Sequence, residues 1–243
     1  MKGKTDPFNY RSNRVKNLSL FLLLSIILFG CEPSSTSRVR STQPNIIFIL
    51  SDDQDAASYA FMPKARKLLS NQGMTLDNFF VTSPLCCPSR ASILRGQYPH
   101  NTQILDNKPP GGGFEKFYQL GLESSTVATW LQAAGYHTML AGKYLNGYAD
   151  TGKSVFPTIY VPPNWTEWYG AFGSAHEGFN YRMNENGRVV AYGNKSEDYN
   201  VDVLAKKAVS TIESKTGSPF FLYIAPLVPH IPAVPAPRHS DLF

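Results

Sequence analysis

An α/β fold, with a mainly parallel sheet and helices on both faces, is what this 243-residue chain predicts. Three observations carry that prediction. Uninterrupted apolar runs, NIIFILS from Asn45, YHTMLAG from Tyr136 and PFFLYIAP from Pro219, read as strands covered on both faces. Segments of helical character lie between them, at residues 63–72, 127–134 and 201–214. Chemically unusual residues, Asp52-Asp53, Lys143 and Pro229-His230, directly follow the three strands, which sets them along the rim where sites form in parallel sheets.

The elements follow in chain order. The first strand ends in Asp52-Asp53. The helix over 63–72 has Pro63 in its first turn and Gly73 as its stop, and MTLDNFFVT from Met74 reads as a further strand. The helix from Val127 to Ala134 stops at Gly135, and the strand after it ends just before Lys143. Val201 to Ser214 carries apolar residues at helical spacing ahead of the last strand. Residues 107–125 and 147–198, rich in Gly, Pro, Asn, Tyr and Trp, read as long surface connections of the sort that line a substrate cleft.

Composition bounds the function classes. The chain is 42% apolar and 17% charged, ordinary for a globular protein. Its net charge of +5 resides in residues 1–40, where Lys2, Lys4, Arg11, Arg14, Lys16, Arg38 and Arg40 face only Asp6 and Glu32. The rest is nearly neutral, so no nucleic-acid partner is expected. Residues 18–29, LSLFLLLSIILF, are an uncharged run between basic residues and Gly30-Cys31, the layout of a signal peptide over residues 1–30. An uncleaved membrane anchor is the competing reading. Leu28-Phe29-Gly30-Cys31 resembles the lipobox of bacterial lipoproteins, with Phe29 bulkier than the usual residue, so Cys31 is expected to carry the lipid that holds the protein to a membrane. Residues 31–44 then form a polar Ser/Thr/Pro-rich tether and the folded domain begins at residue 45. Export to the periplasm or cell surface of a bacterium follows. The three cysteines, Cys31, Cys86 and Cys87, make no disulfide framework, and the adjacent pair needs another explanation.

That explanation lies in Cys86-Cys87-Pro88-Ser89-Arg90-Ala91-Ser92-Ile93-Leu94-Arg95-Gly96, followed by Gln97-Tyr98-Pro99-His100. The stretch resembles the sulfatase signature: a cysteine, any residue, Pro-Ser-Arg, then an apolar helical turn reaching glycine. The family resemblance implies an alkaline-phosphatase-like fold and oxidation of the first cysteine, Cys86 here, to formylglycine by a formylglycine-generating enzyme. The hydrated aldehyde is a geminal diol, one hydroxyl of which attacks sulfur while the other expels sulfate by re-forming the carbonyl. If a helix begins near Pro88, Arg90 can fold back beside that hydrate, and Ser89 is suited to capping. Without the flanking match, the cysteines read as small buried residues and Arg90 as a surface cation.

The same resemblance extends to three further segments. Asp52-Asp53 alone reads as a pair of turn or capping aspartates; within PNIIFILSDDQ it resembles the family's metal-binding aspartates, which with residue 86 hold calcium, magnesium being the alternative. Ala141-Gly142-Lys143-Tyr144-Leu145-Asn146 resembles the lysine motif, so Lys143 is expected on a sulfate oxygen and the formylglycine hydroxyl. Leu145 stands where many arylsulfatases carry histidine, which leaves open the group that deprotonates the diol. Pro229-His230-Ile231-Pro232 resembles the histidine motif and makes His230 the expected general acid; otherwise it is a loop histidine between prolines. His137, His176 and His239 lack such a frame, while His100 is near enough to the signature to line the pocket.

Within the family, SDDQD, CCPSRASILRGQYPHN, AGKYLNGY and NWTEWYG most resemble N-acetylglucosamine-6-sulfatases of glycosaminoglycan breakdown, implying a sulfated carbohydrate substrate. Sulfatases of this type run to roughly twice this length and add later metal ligands, another lysine and a smaller carboxyl-terminal domain. The expectation is an amino-terminal part that on its own binds metal weakly and turns over poorly. A phosphate or phosphonate monoester hydrolase of the same superfamily and a non-catalytic glycan-binding surface lipoprotein are the other readings.

Overall fold

Six strands form one sheet in the order β1-β6-β2-β3-β4-β5 in the computed structural model, which describes residues 43–149, 159–215 and 217–242. β1 (Ile46–Ile49), β2 (His137–Gly142), β3 (Glu167–Gly173) and β6 (Phe220–Ala225) run parallel, with Ile46 opposite Phe221, Thr138 opposite Phe221 from the other side, and Met139 opposite Glu167. β4 (Tyr181–Glu185) and β5 (Arg188–Ala191) add an antiparallel hairpin beyond β3. The signal peptide, Cys31 and nearly all of the tether lie outside the described residues.

Helices cover both faces, as the alternating pattern requires. On one side α1 (Cys86–Arg95), α2 (Gly113–Gln119) and α3 (Val127–Ala133) bury Cys87, Ala91, Leu94, Phe114, Phe117 and Ala128 against Leu140, Phe221 and Tyr223 of the strands. On the other, α4 (Asn200–Ser214) sets Val203, Leu204 and Ala208 against Met139, Phe220 and Leu222. Thr126 caps α3, its hydroxyl accepting from the Thr129 N–H while its own N–H donates to Thr129 Oγ1. Gly96 closes α1 in the left-handed region, φ 61°.

The helix expected over 63–72 is present from Pro63 to Ser70, an α turn at Pro63–Ala65 that widens into a π-helical segment at Arg66–Ser70. Three expectations are corrected. MTLDNFFVT forms no strand, and Phe79 and Phe80 are exposed; among the described residues β1, at the sheet edge, pairs with β6 alone. β1 is covered on one face only, with Ile46 and Phe48 packed on the core and Ile47 and Ile49 exposed among the described residues. Residues 107–125 and 147–198, read as surface connections, contain α2 and the β3–β5 elements.

That last departure has a physical cause. Phe114 of α2 meets Tyr148 edge-on at 5.4 Å between ring centroids, and Tyr148 meets Trp168 at 5.3 Å. Their polar tips are satisfied inside: Trp168 Nε1 and Asn184 Nδ2 donate to the Tyr148 hydroxyl at 2.7 and 2.8 Å, and Tyr144 and Tyr160 donate to buried Glu123. Aromatics that pair their own polar groups can be buried, so a loop-like composition becomes core.

Gly142 is the point where the sheet delivers Lys143 to the rim. Its φ is 112°, and a Cβ there would lie 2.0 Å from the Ala225 carbonyl oxygen of β6 and 3.2 Å from Leu204. Only glycine lets the chain pass this closely. Gly142→Ala is expected to lower the unfolding free energy by more than about 1 kcal/mol in a denaturant titration, through both strain and overlap; a change within error would contradict this packing.

Candidate active site

The parallel strands end on one rim, and the side chains there converge on one carboxylate. Asp52 leaves β1 in register with Pro229 beyond β6, its N–H donating to Val228 O at 3.4 Å. Lys143 follows β2, its N–H donating to Ala225 O at 2.8 Å. The Lys143 ammonium then donates to Asp52 Oδ2 at 2.6 Å, and Arg90 Nη2 to Asp52 Oδ1 at 3.4 Å. All three side chains are buried, with 4% of Asp52, 7% of Lys143 and 3% of Arg90 exposed. Such a group persists only because each charge is paired.

α1 supplies Arg90 and Cys86 from its first turns. The helix starts at Cys86, two residues before the expected Pro88, which sits in the first turn where its missing N–H costs little. Arg90 Nη1 also donates to Lys143 O at 3.0 Å, so the guanidinium bridges the strand end and the carboxylate. Ser89 does not cap: no side chain caps α1, and the Ser89 N–H makes an ordinary helical bond to Leu85 O.

Cys86 Sγ, which stands where the formylglycine oxygen would be, donates to Asp52 Oδ1 at 3.6 Å. Burial first of all, with the two aspartates adding and Lys143 and Arg90 opposing, raises the Cys86 thiol above its ordinary value. A cysteine nucleophile needs the opposite shift, so the unmodified thiol is poorly suited to attack. Cys87 is fully buried, its thiol is pushed up to about 11 by burial, and its N–H donates to Asn107 Oδ1 at 2.8 Å. The two cysteines therefore occupy different worlds: one faces the rim, the other the core.

Asp53 is exposed, and His230 Nε2 lies 3.5 Å from its Oδ2, while His230 Nδ1 pairs with Ile231 O at 2.7 Å. His176 is a residue that sequence reasoning passed over. It lies on the short turn after β3, with Nε2 3.6 Å from Asp52 Oδ2 and its ring 4.5 Å from that of His230. No motif marked it; its place after a parallel strand was the signal, hidden because β3 was read as a connection. His100 stacks on exposed Tyr98 instead of joining the cluster, and His137 pairs with Glu167 at 2.6 Å, tying β2 to β3.

One ligand atom from each of Asp52, Asp53 and Cys86 lies within 4.8 Å of the others. With an oxygen in place of sulfur this is a hard donor set, suited to calcium or magnesium, and it provides part of a shell that calcium fills with six to eight oxygens. The residues fit a divalent ion.

Comparison with known proteins decides the family. The family model described as "Sulfatase" matches residues 44–241. The chain belongs to the sulfatase family. The sulfatase chain is 37% identical over 228 residues to human N-acetylglucosamine-6-sulfatase, covering 91% of this chain and 40% of that one, and 38% identical over 221 residues to the goat enzyme of the same name, covering 88% and 39%. It thus spans about two fifths of the curated relatives it matches. The solved structure of BT4656 in complex with its substrate D-glucosamine-2-N,6-O-disulfate superposes with a TM-score of 0.64 at 25% identity, over 83% of this chain and 37% of that one. A phosphonate monoester hydrolase from Silicibacter pomeroyi, 20% identical with a TM-score of 0.57 over 82% and 44% of the chains, shares the alkaline-phosphatase-like fold.

Burial opposes ionisation of Asp52, but His176, Lys143 and Arg90 outweigh it and hold the carboxyl well below the usual carboxylate range. Below an unfolded-state pKa of about 3.9 the unfolded chain binds a proton that the folded chain does not, so this stabilisation is present at neutral pH and fades as pH falls through about 4 toward the folded value. Asp52→Asn should cost about 3–5 kcal/mol at neutral pH, by leaving two buried cations without their counter-charge, and should flatten the acid limb of stability measured by urea unfolding. Unchanged stability would mean the three charges are not coupled.

Proposed function

We propose that the protein is a sulfuric ester hydrolase that removes sulfate from a sulfated carbohydrate, an N-acetylglucosamine-6-sulfate or related glycosaminoglycan unit, with residue 86 as the nucleophile. The observation that carries this is the meeting of Cys86, Arg90 and Lys143 on Asp52. The names of the relatives and the substrate in the BT4656 complex support the substrate class.

Once Cys86 is oxidised by a formylglycine-generating enzyme, its side chain supplies a geminal diol nucleophile. Asp52 and Asp53, with residue 86, would hold calcium or magnesium, which supplies Lewis-acid polarisation of the sulfate. Arg90 fixes Asp52 and the Lys143 carbonyl from one side, and Lys143 neutralises oxygen charge from the other. His230, on the exposed side beside Asp53, protonates the leaving alcohol oxygen, and His176 places a second imidazole next to it in a chain with Leu145 at the usual histidine position. The leader and Cys31 support an exported lipoprotein at the periplasmic or cell surface of a bacterium.

The test is sulfate release from N-acetylglucosamine-6-sulfate, with aryl phosphate as the competing substrate. Cys86→Ala is expected to abolish release and Cys87→Ala to retain much of it, since only the first faces Asp52. Equal loss in both, or faster phosphate than sulfate hydrolysis, would overturn the assignment.

A further inference from the structure

Beside Lys143 the rim opens into a cleft of about 270 Å³, bordered by Lys143, Asn146, Phe172, His176, Arg182 and Leu227. Its polar groups are in an unusual state. Asn146 Oδ1 is a buried atom with no hydrogen-bond partner among the described residues, and His176 Nε2 has Asp52 Oδ2 on one side, 3.6 Å away. A buried acceptor left unpaired is unfavourable, so Asn146 Oδ1 suits a hydroxyl or amide donor in the cleft.

Arg182 adds an unspent charge. It is exposed on β4, opposite Phe172 in the β3–β4 ladder, with its guanidinium carbon 5.1 Å from the centre of the Phe172 ring. The ring holds the guanidinium flank over the cleft, and Arg182 pairs with no carboxylate among the described residues. Arg90 and Arg238, by contrast, each face an aspartate. The cleft therefore runs from a cation committed to Asp52, past an imidazole and an unmet amide oxygen, to a cation with no carboxylate partner among the described residues. A fork of donors so placed matches a second oxyanion.

We propose that this cleft holds the sugar ring whose sulfate is cut and that Arg182 reads a second acidic group on it, a sulfate, sulfamate or carboxylate. This deepens, and rests on, the reading of the protein as a carbohydrate sulfatase: its substrate is a glucosamine unit with two anionic groups, of which only one is hydrolysed. Asn146 and His176 meet the ring's hydroxyl and amide groups, and Arg182 is a specificity residue remote from the reacting atoms.

Calorimetric titration of the full chain with two probes tests this without requiring turnover. Glucosamine-2-N,6-O-disulfate should bind at least about tenfold tighter than N-acetylglucosamine-6-sulfate, the advantage of one charge-assisted pair. Arg182→Gln should bring the disulfate down to the monosulfate's affinity while leaving the monosulfate unchanged, and Arg182→Lys should restore part of the difference. Retained monosulfate binding shows that the variants fold. Equal affinities in the unsubstituted chain, equal loss of both probes in Arg182→Gln, or binding of neither would overturn the proposal. Sulfate release is scored separately: release without preference contradicts Arg182's role alone, and preference without release contradicts the catalytic reading alone.

Discussion

The Asp52 carboxylate is the constraint around which the rest is arranged. It lies 2.6 Å from a buried ammonium and 3.4 Å from a buried guanidinium, and the thiol of Cys86 donates to the oxygen that faces the guanidinium. None of these charges is tolerable alone at that depth, so the end of β1, the end of β2 and the start of α1 must arrive together. The charge cluster thus fixes three elements distant in sequence, and the same arrangement leaves residue 86 on the solvent side with cations and carboxylates about it.

The sheet makes that convergence possible. Parallel strands release their carboxyl ends on one edge, and Gly142 lets β2 press against β6 so that Lys143 turns inward where a bulkier residue would force the strands apart. The antiparallel hairpin of β4 and β5 extends the sheet past β3 and carries Arg182 to the cleft that Lys143 and His176 also line. The proposed substrate contact at Arg182 thus sits on the hairpin, while the charge cluster is built on strand ends and a helix start.

Much of this was legible in the sequence. NIIFILS, YHTMLAG and PFFLYIAP announced three of the parallel strands because an uninterrupted apolar run has few other uses, although the first is an edge strand with one face exposed, and the residues after them fell on the rim. Asp52, Asp53, Cys86, Arg90, Lys143 and His230 were named from motifs, and each is found at that rim. The losses have a common cause. Residues 167–191 form β3 and an antiparallel hairpin that turns at Asn186-Gly187, a local signal hidden under a Gly-, Asn- and aromatic-rich composition that resembled loops. His176 and Arg182 were lost with them. MTLDNFFVT erred in the other direction: its apolar content forms no strand, and Phe79 and Phe80 are exposed.

The claim that stands behind the mechanism is that residue 86 ceases to be a cysteine. Peptide mass spectrometry of the protein made together with a formylglycine-generating enzyme addresses it most directly. The account predicts a loss of about 18 Da confined to residue 86, from replacement of thiol by aldehyde, with Cys87 unchanged. An active preparation in which residue 86 is thiol throughout would contradict it.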